Sequence, residues 1–402
     1  VSGKRQGIKD EHTIIERFLI FSAMTAITFL FAILLITLSA LVTARPSIRR
    51  ATALPASPKG ATLVQFKPCS GVSATVPIFV NNQYAKSTTT SAYIVQHGES
   101  ADFDNYFTAV YNIIGTTGII AAPNFYNISS TSGSKSWYQS SVNLAWLKTG
   151  NWTIGSSAIA PTSGTNALNG KACSSYDTYD SLLTQFNNKA IYPNLKQVYM
   201  LSHSGGANAI SRYSQISNGS YTFNIRYIIA NAASQAYFTS ARPETNPCHS
   251  AGYYPNQWVV DTEMSPYIRA RFTTPTALFQ RWVTRDVLNL IGDLDTNARY
   301  GGGTQDCGSV SEGGANRRDR NYAWWAYTNI LAGTKTDVSS YTGYKQLLAS
   351  GAKANTTSST LKHQNCVIPN VGHVFVPMLN STCGRAALSQ ATIPAGVGAQ
   401  YP

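Results

Sequence analysis

The sequence predicts an α/β domain, a mostly parallel sheet with helices on both faces, preceded by a single N-terminal transmembrane helix. Two observations carry this. From Ala61 onward, short apolar runs alternate with helical patterns, the signature of a parallel sheet covered on both sides. Before that, Phe18 to Ala44 is a run of 27 residues without a charge. A helix of that length reaches about 40 Å at about 1.5 Å per residue, more than the roughly 30 Å of a bilayer core. A secretory signal core is only about 7 to 15 residues long.

The elements follow in order. Residues 1–17 form a short flank, 18–44 the anchor, and 45–60, with Pro46, Pro55, Pro58 and Gly60, an exposed linker to a domain over 61–402. Ala61 to Lys67 and Thr75 to Val80 read as strands, and Ala92 to Gln96 as a third that ends at His97-Gly98. Ala101 to Ile114 reads as a helix, Gly118 to Ala122 as a buried strand and Tyr179 to Lys189 as an amphipathic helix. Strands Gln197 to Leu201, Arg226 to Ala230, Asp286 to Ile291 and Asn365 to Ile368 are expected, with helices at Ala207 to Ile216 and Asn321 to Leu331. The segment 247–275, with Tyr253, Tyr254 and Trp258, is a candidate lid or substrate wall; the alternative is a structural excursion stapled from Cys248 to Cys307.

Composition narrows the partners. With 43% hydrophobic and 12% charged residues, general disorder is excluded. The net charge of +13 places +5 in the first sixty residues and spreads the rest thinly. The one dense run, Arg317-Arg318-Asp319-Arg320, is broken by an acid; it reads as a solvated turn, and a nucleic-acid groove is not expected. Four basic residues flank each side of the apolar run, so the positive-inside rule gives no orientation. Six cysteines, all after that run and none in a C-x-x-C pair, suit three disulfides in an oxidising compartment. Cys248, Cys307, Cys366 and Cys383 are the candidates, and the domain is expected on the lumenal or cell-surface side of a membrane. Because the chain begins at Val1, a lost targeting peptide and an organelle inner membrane are the alternative. Sequons stand at Asn127, Asn151, Asn218, Asn355 and Asn380, about the number chance gives in so Asn-, Ser- and Thr-rich a chain.

The chemistry-bearing stretch is Ser202-His203-Ser204-Gly205-Gly206, between an apolar strand and a helix. It fits the G-x-S-x-G turn, with Ser202 in the first small-residue position. Small neighbours are needed because the nucleophile sits where strand and helix nearly touch. Gly205 would offer a backbone N–H to an oxyanion, and Gly98 and Glu99, on the turn after the third strand, would supply a second. After the strand ending at Gly292 come Asp293 and Asp295; Asp295 has the expected spacing and Asp293 is the fallback. His373 follows the last strand. The order Ser204, Asp295, His373 is that of the α/β hydrolases. No metal or cofactor is called for, and His12, His203, His249 and His363 lack ligand spacing.

From about Tyr93 to Cys383 the chain resembles a family of largely uncharacterised, mostly secreted α/β hydrolases. The matching stretches include His97-Gly98 with Asp104-Asn105-Tyr106-Phe107, Ser202-His-Ser-Gly-Gly206, Ile225 to Asn231, Gly292-Asp-Leu-Asp295-Thr296 and Pro369-Asn-Val-Gly-His373. The resemblance implies an α/β-hydrolase fold with Ser204, Asp295 and His373 as triad. Ser202 for Gly and Val374 for a polar residue depart from the pattern. The expected function is a membrane-anchored serine hydrolase cleaving an ester or related acyl bond of unknown substrate. The alternative is a catalytically unused, hydrolase-like subunit of a membrane complex or filament.

Overall fold

A computed structural model describes residues 54–81, 86–129, 136–262, 264–298, 305–355 and 361–389. The anchor expected at 18–44 lies outside the described residues. Among the described residues no helix is long and apolar enough to cross a membrane.

Ten strands are present among the described residues: β1 (Ala61–Phe66), β2 (Val76–Asn81), β3 (Ser91–Gln96), β4 (Ile119–Pro123), β5 (Tyr126–Asn127), β6 (Ala145–Trp146), β7 (Gln197–His203), β8 (Asn224–Ala230), β9 (Asp286–Gly292) and β10 (His363–Ile368). Eight build one sheet in the order β1-β2-β4-β3-β7-β8-β9-β10, and β5 pairs only with β6. β2 runs antiparallel to both β1 and β4, while the pairs from β4 through β10 are parallel. Parallel neighbours need crossovers, and these carry the helices α1 (Phe103–Ile114), α2 (Thr149–Thr153), α3 (Ser175–Phe186), α4 (Gly205–Ile216), α5 (Pro266–Arg271), α6 (Pro275–Trp282), α7 (Cys307–Val310), α8 (Arg317–Ala332) and α9 (Tyr344–Ala349), while α10 (Phe375–Asn380) and α11 (Thr382–Ala387) follow the last strand.

Strand alternation sorts the core into two layers. Ala92, Ile94, Val198 and Met200 pack on one face with Ala207, Ile210 and Tyr213 of α4. Tyr93, Val95, Tyr199 and Leu201 face the other way, against Phe103, Phe107 and Val110 of α1. Both faces of the central strands are therefore apolar, which is why they read as unbroken apolar runs. The expected strands all form, with end points shifted by a few residues.

Two helix starts lie a full turn before the expectation, for one reason. α3 begins at Ser175, four residues early, because Ser174 Oγ accepts from Asp177 N while Asp177 Oδ2 accepts from Ser174 N at 2.8 Å, a reciprocal cap. α8 begins at Arg317, where Asn316 Oδ1 accepts from Asp319 N at 2.9 Å. The Arg317–Arg320 run is thus the first turn of a helix and not a solvated turn. Arg317 and Arg320 are buried; Arg320 donates to Gly314 O and Ala233 O. Backbone carbonyls and a nearby acid replace the water that the charge pattern suggested.

All six cysteines pair, Cys69–Cys173, Cys248–Cys307 and Cys366–Cys383. Within 247–275, Tyr254, Trp258 and Ile268 are core residues. Tyr254 Oη donates to Ile154 O at 2.6 Å, and only Tyr253 of the three quoted aromatics is exposed.

Candidate active site

The parallel strands deliver their carboxyl ends to one edge of the sheet, where the register sets Gln96 beside Ser202 and Ser202 beside Ile229. Gly292 pairs with Ile368 further along the same edge. Ligands of open α/β sheets collect at such an edge.

Ser204 joins β7 directly to α4, with φ 59° and ψ −125°. An L-residue there is strained, and the strain is held by its surroundings. A Cβ on Gly206 would fall 2.4 Å from His97 O and 2.6 Å from Gln96 O, so only glycine lets the helix approach β3. Ser202 occupies the position where glycine is usual by burying its hydroxyl with a partner: Oγ donates to Ile228 O at 2.7 Å. The departure from the pattern therefore leaves no polar atom unpaired.

His373 Nε2 lies 2.8 Å from Ser204 Oγ, and His373 Nδ1 lies 2.9 Å from Asp295 Oδ2. With Nδ1–H donating to the carboxylate, Nε2 is left as the acceptor for the serine hydroxyl. Asp293 does not reach the imidazole. Its Oδ1 accepts from Val371 N at 3.2 Å, fixing the histidine loop instead. Asn231 also ties acid turn to histidine loop, accepting from Gly292 N and donating to Gly372 O.

The expected oxyanion turn adjoins the elbow. A Cβ built on Gly98 would lie 3.3 Å from Ser204 Cβ, and one on Gly205 would lie 3.4 Å from Glu99 N. The N–H groups of Gly205 and Glu99 have no acceptor among the described residues. His97 holds this turn: Nδ1 donates to Gly98 O at 2.6 Å and Nε2 accepts from Phe125 N at 2.9 Å. Burial pushes the His97 pKa down to about 4, so the neutral tautomer persists at ordinary pH.

Around these groups stand residues to which the sequence reading gave no role in the site. Arg317 sets Nη1 3.6 Å from Asp295 Oδ1, with both side chains buried. His203 lies buried with its ring 4.6 Å from that of His373 and bonds Tyr106 Oη through Nδ1 at 2.8 Å. Burial, helped by the charges of His373 and Arg317, holds the His203 pKa well below its ordinary value, so it adds no second positive charge beside the imidazole. The Asn316-x-x-Asp319 cap was the signal that would have placed Arg317 on a helix.

A cavity of about 820 Å³ opens on Ser204 and His373, walled by Tyr106 and Ile113 on one side and by Val374, Phe375 and Leu379 on the other. A second cleft of about 640 Å³ shares Glu99 with it and takes Pro255 and Asn256 from the 247–275 segment. Burial raises the Glu99 pKa, opposed by Arg317. Of the sequon asparagines, Asn218 and Asn380 are exposed, and Asn127, Asn151 and Asn355 are half-buried.

No protein-family model matches the chain, and no curated protein does. Among solved structures it is similar to LpqC, a poly(3-hydroxybutyrate) depolymerase from Bordetella parapertussis, at 14% identity and a TM-score of 0.51, over 84% of this chain and 92% of that one. Poly(aspartic acid) hydrolase-1 from Sphingomonas sp. KT-1 aligns at 15% identity and a TM-score of 0.49, over 80% and 96% of the two chains. At such identity the first likeness speaks for fold, and it agrees with the strand order and the strand–turn–helix at Ser204. The chain has the α/β-hydrolase fold.

Proposed function

We propose that the protein is a serine hydrolase that cleaves a carboxylic ester through an acyl-enzyme. The observation that carries this is the continuous hydrogen-bonded line Asp295–His373–Ser204, ending at a serine held in a strained elbow beside two unengaged backbone N–H groups. Ser204 Oγ attacks the carbonyl carbon as its proton passes to His373 Nε2. Asp295 keeps the ring oriented and stabilises the imidazolium. The carbonyl oxygen, now anionic, is held by the N–H groups of Gly205 and Glu99. His373 then protonates the departing alcohol, and water deacylates the serine by the reverse route.

The open cavity above Ser204 supports use of the site over the reading of an idle subunit in a membrane complex or filament. The same proposal sets the domain outside the cytosol, held by residues 18–44; three disulfides support an oxidising compartment. The test is hydrolysis of 4-nitrophenyl butanoate. A burst of 4-nitrophenol equal to the enzyme concentration, lost in Ser204→Ala with thermal unfolding unchanged, is expected. Equal turnover by Ser204→Ala would reject the assignment.

A further inference from the structure

The second cleft sets amide donors beside two carboxylates, Glu99 and Asp306. Asn208, in the first turn of α4, accepts from Ala233 N at 2.8 Å and Ser234 N at 3.2 Å through Oδ1. Asn151 accepts from Lys148 N at 3.0 Å through Oδ1. Backbone donors thus fix which way both amides point, and the Nδ2 groups of Asn151 and Asn208 have no partner among the described residues. The Lys148 ammonium stands exposed at the rim of the same cleft.

Its position relative to the nucleophile assigns it a part of the substrate. The leaving oxygen takes its proton from His373 Nε2, so the alcohol departs over the cavity lined by Val374 and Phe375, the residues that follow His373. The second cleft adjoins the first through Glu99, which lines both; Glu99 and Thr153, which also line it, pack against Gly205, the residue after Ser204, where a Cβ would meet Glu99 Cγ at 3.1 Å and Thr153 Cγ2 at 3.7 Å. With the alcohol over the first cavity, the adjoining cleft is left for the acyl substituent.

The geometry points to an acyl group that carries hydrogen-bond acceptors, such as a second ester or amide carbonyl several bonds from the scissile one, bound by the Asn151 and Asn208 amides. This rests on the ester-hydrolase reading and names the substrate class within it. It also requires Asn151 to be unglycosylated, since a glycan on its Nδ2 would fill the cleft.

The test compares two 4-nitrophenyl esters of equal acyl length, one hexanoyl and one with an internal amide carbonyl in the chain. A preference in kcat/KM of about tenfold for the amide-bearing ester is expected, the effect of one or two neutral hydrogen bonds. Asn208→Asp and Asn151→Asp keep the oxygen that the backbone N–H groups need and delete the donor. The preference should fall towards one in each, with unchanged thermal unfolding. Equal kcat/KM for the two esters in the unaltered enzyme, a preference that survives both substitutions, or a glycan at Asn151 in the full chain made through a secretory pathway would overturn the inference. If the unaltered enzyme hydrolyses neither ester, the ester-hydrolase reading falls, and this inference with it.

Discussion

Arg317 shows how much one buried side chain can decide. Its guanidinium faces the Asp295 oxygen that the histidine does not use, so one cation balances that carboxylate from behind. Deleting one partner of a buried pair leaves the other uncompensated, at about 3–5 kcal/mol. Arg317→Met should therefore unfold at markedly lower urea and lose most kcat, with Arg317→Lys recovering part of both; an unchanged urea midpoint would show that the pair is idle. At Ser202 the expected change is smaller. Ser202→Gly restores the more usual residue but abandons Ile228 O, and should cost about 1 kcal/mol in urea unfolding while the enzyme stays active. A Ser202→Gly protein as stable as the original would mean the hydroxyl is not what permits serine there.

At the scale of elements, α8 carries Arg317 only because Asn316 starts the helix there. Replacing that cap, Asn316→Ala, should remove about 1 kcal/mol and depress kcat beyond what global stability explains, because the first turn frays where Arg317 sits. A kcat unchanged at full folding would uncouple the cap from the site. The strands, and the meeting of Ser204, Asp295 and His373, were legible in the sequence because each rests on a local pattern: an apolar run, then one of these residues just past its end. The choice of Asp295 over Asp293 rested on spacing, and the fold gives the physical ground, since Asp293 is taken by Val371 N. Arg317 and Arg320 were misread because the groups that receive them, Asp295, Gly314 O and Ala233 O, are remote or backbone and leave no mark on the charge pattern. The second cleft was invisible for a related reason: Glu99, Asn151, Asn208 and Asn256 meet only after the sheet is assembled.

Across the whole molecule, the domain places an unusual amount of charge in its interior. Glu312 is fully buried, its Oε2 accepting from Gln235 N at 2.6 Å, and burial pushes its pKa up to about 8 despite Arg212, Arg242 and Arg320 nearby. A folded pKa above the ordinary carboxyl value means that the folded chain holds a proton the unfolded chain releases. The contribution is present at low pH and is lost as pH rises through about 8. Thermal unfolding should fall in temperature from about pH 4.5 to about pH 8 and level off above, and Glu312→Gln should flatten that slope; a slope identical in the two proteins would place the titration elsewhere. The sparse charge of the sequence, 12% of residues, thus includes several that never meet solvent. The proposal that the assembly delivers a nucleophilic serine to the carboxyl edge of the sheet is the most directly measurable. Intact-mass analysis after treatment with a fluorophosphonate should show one adduct, localised to Ser204, absent in Ser204→Ala and strongly slowed in His373→Ala. Folded protein that takes up no adduct, or takes it up at another residue, would contradict the account.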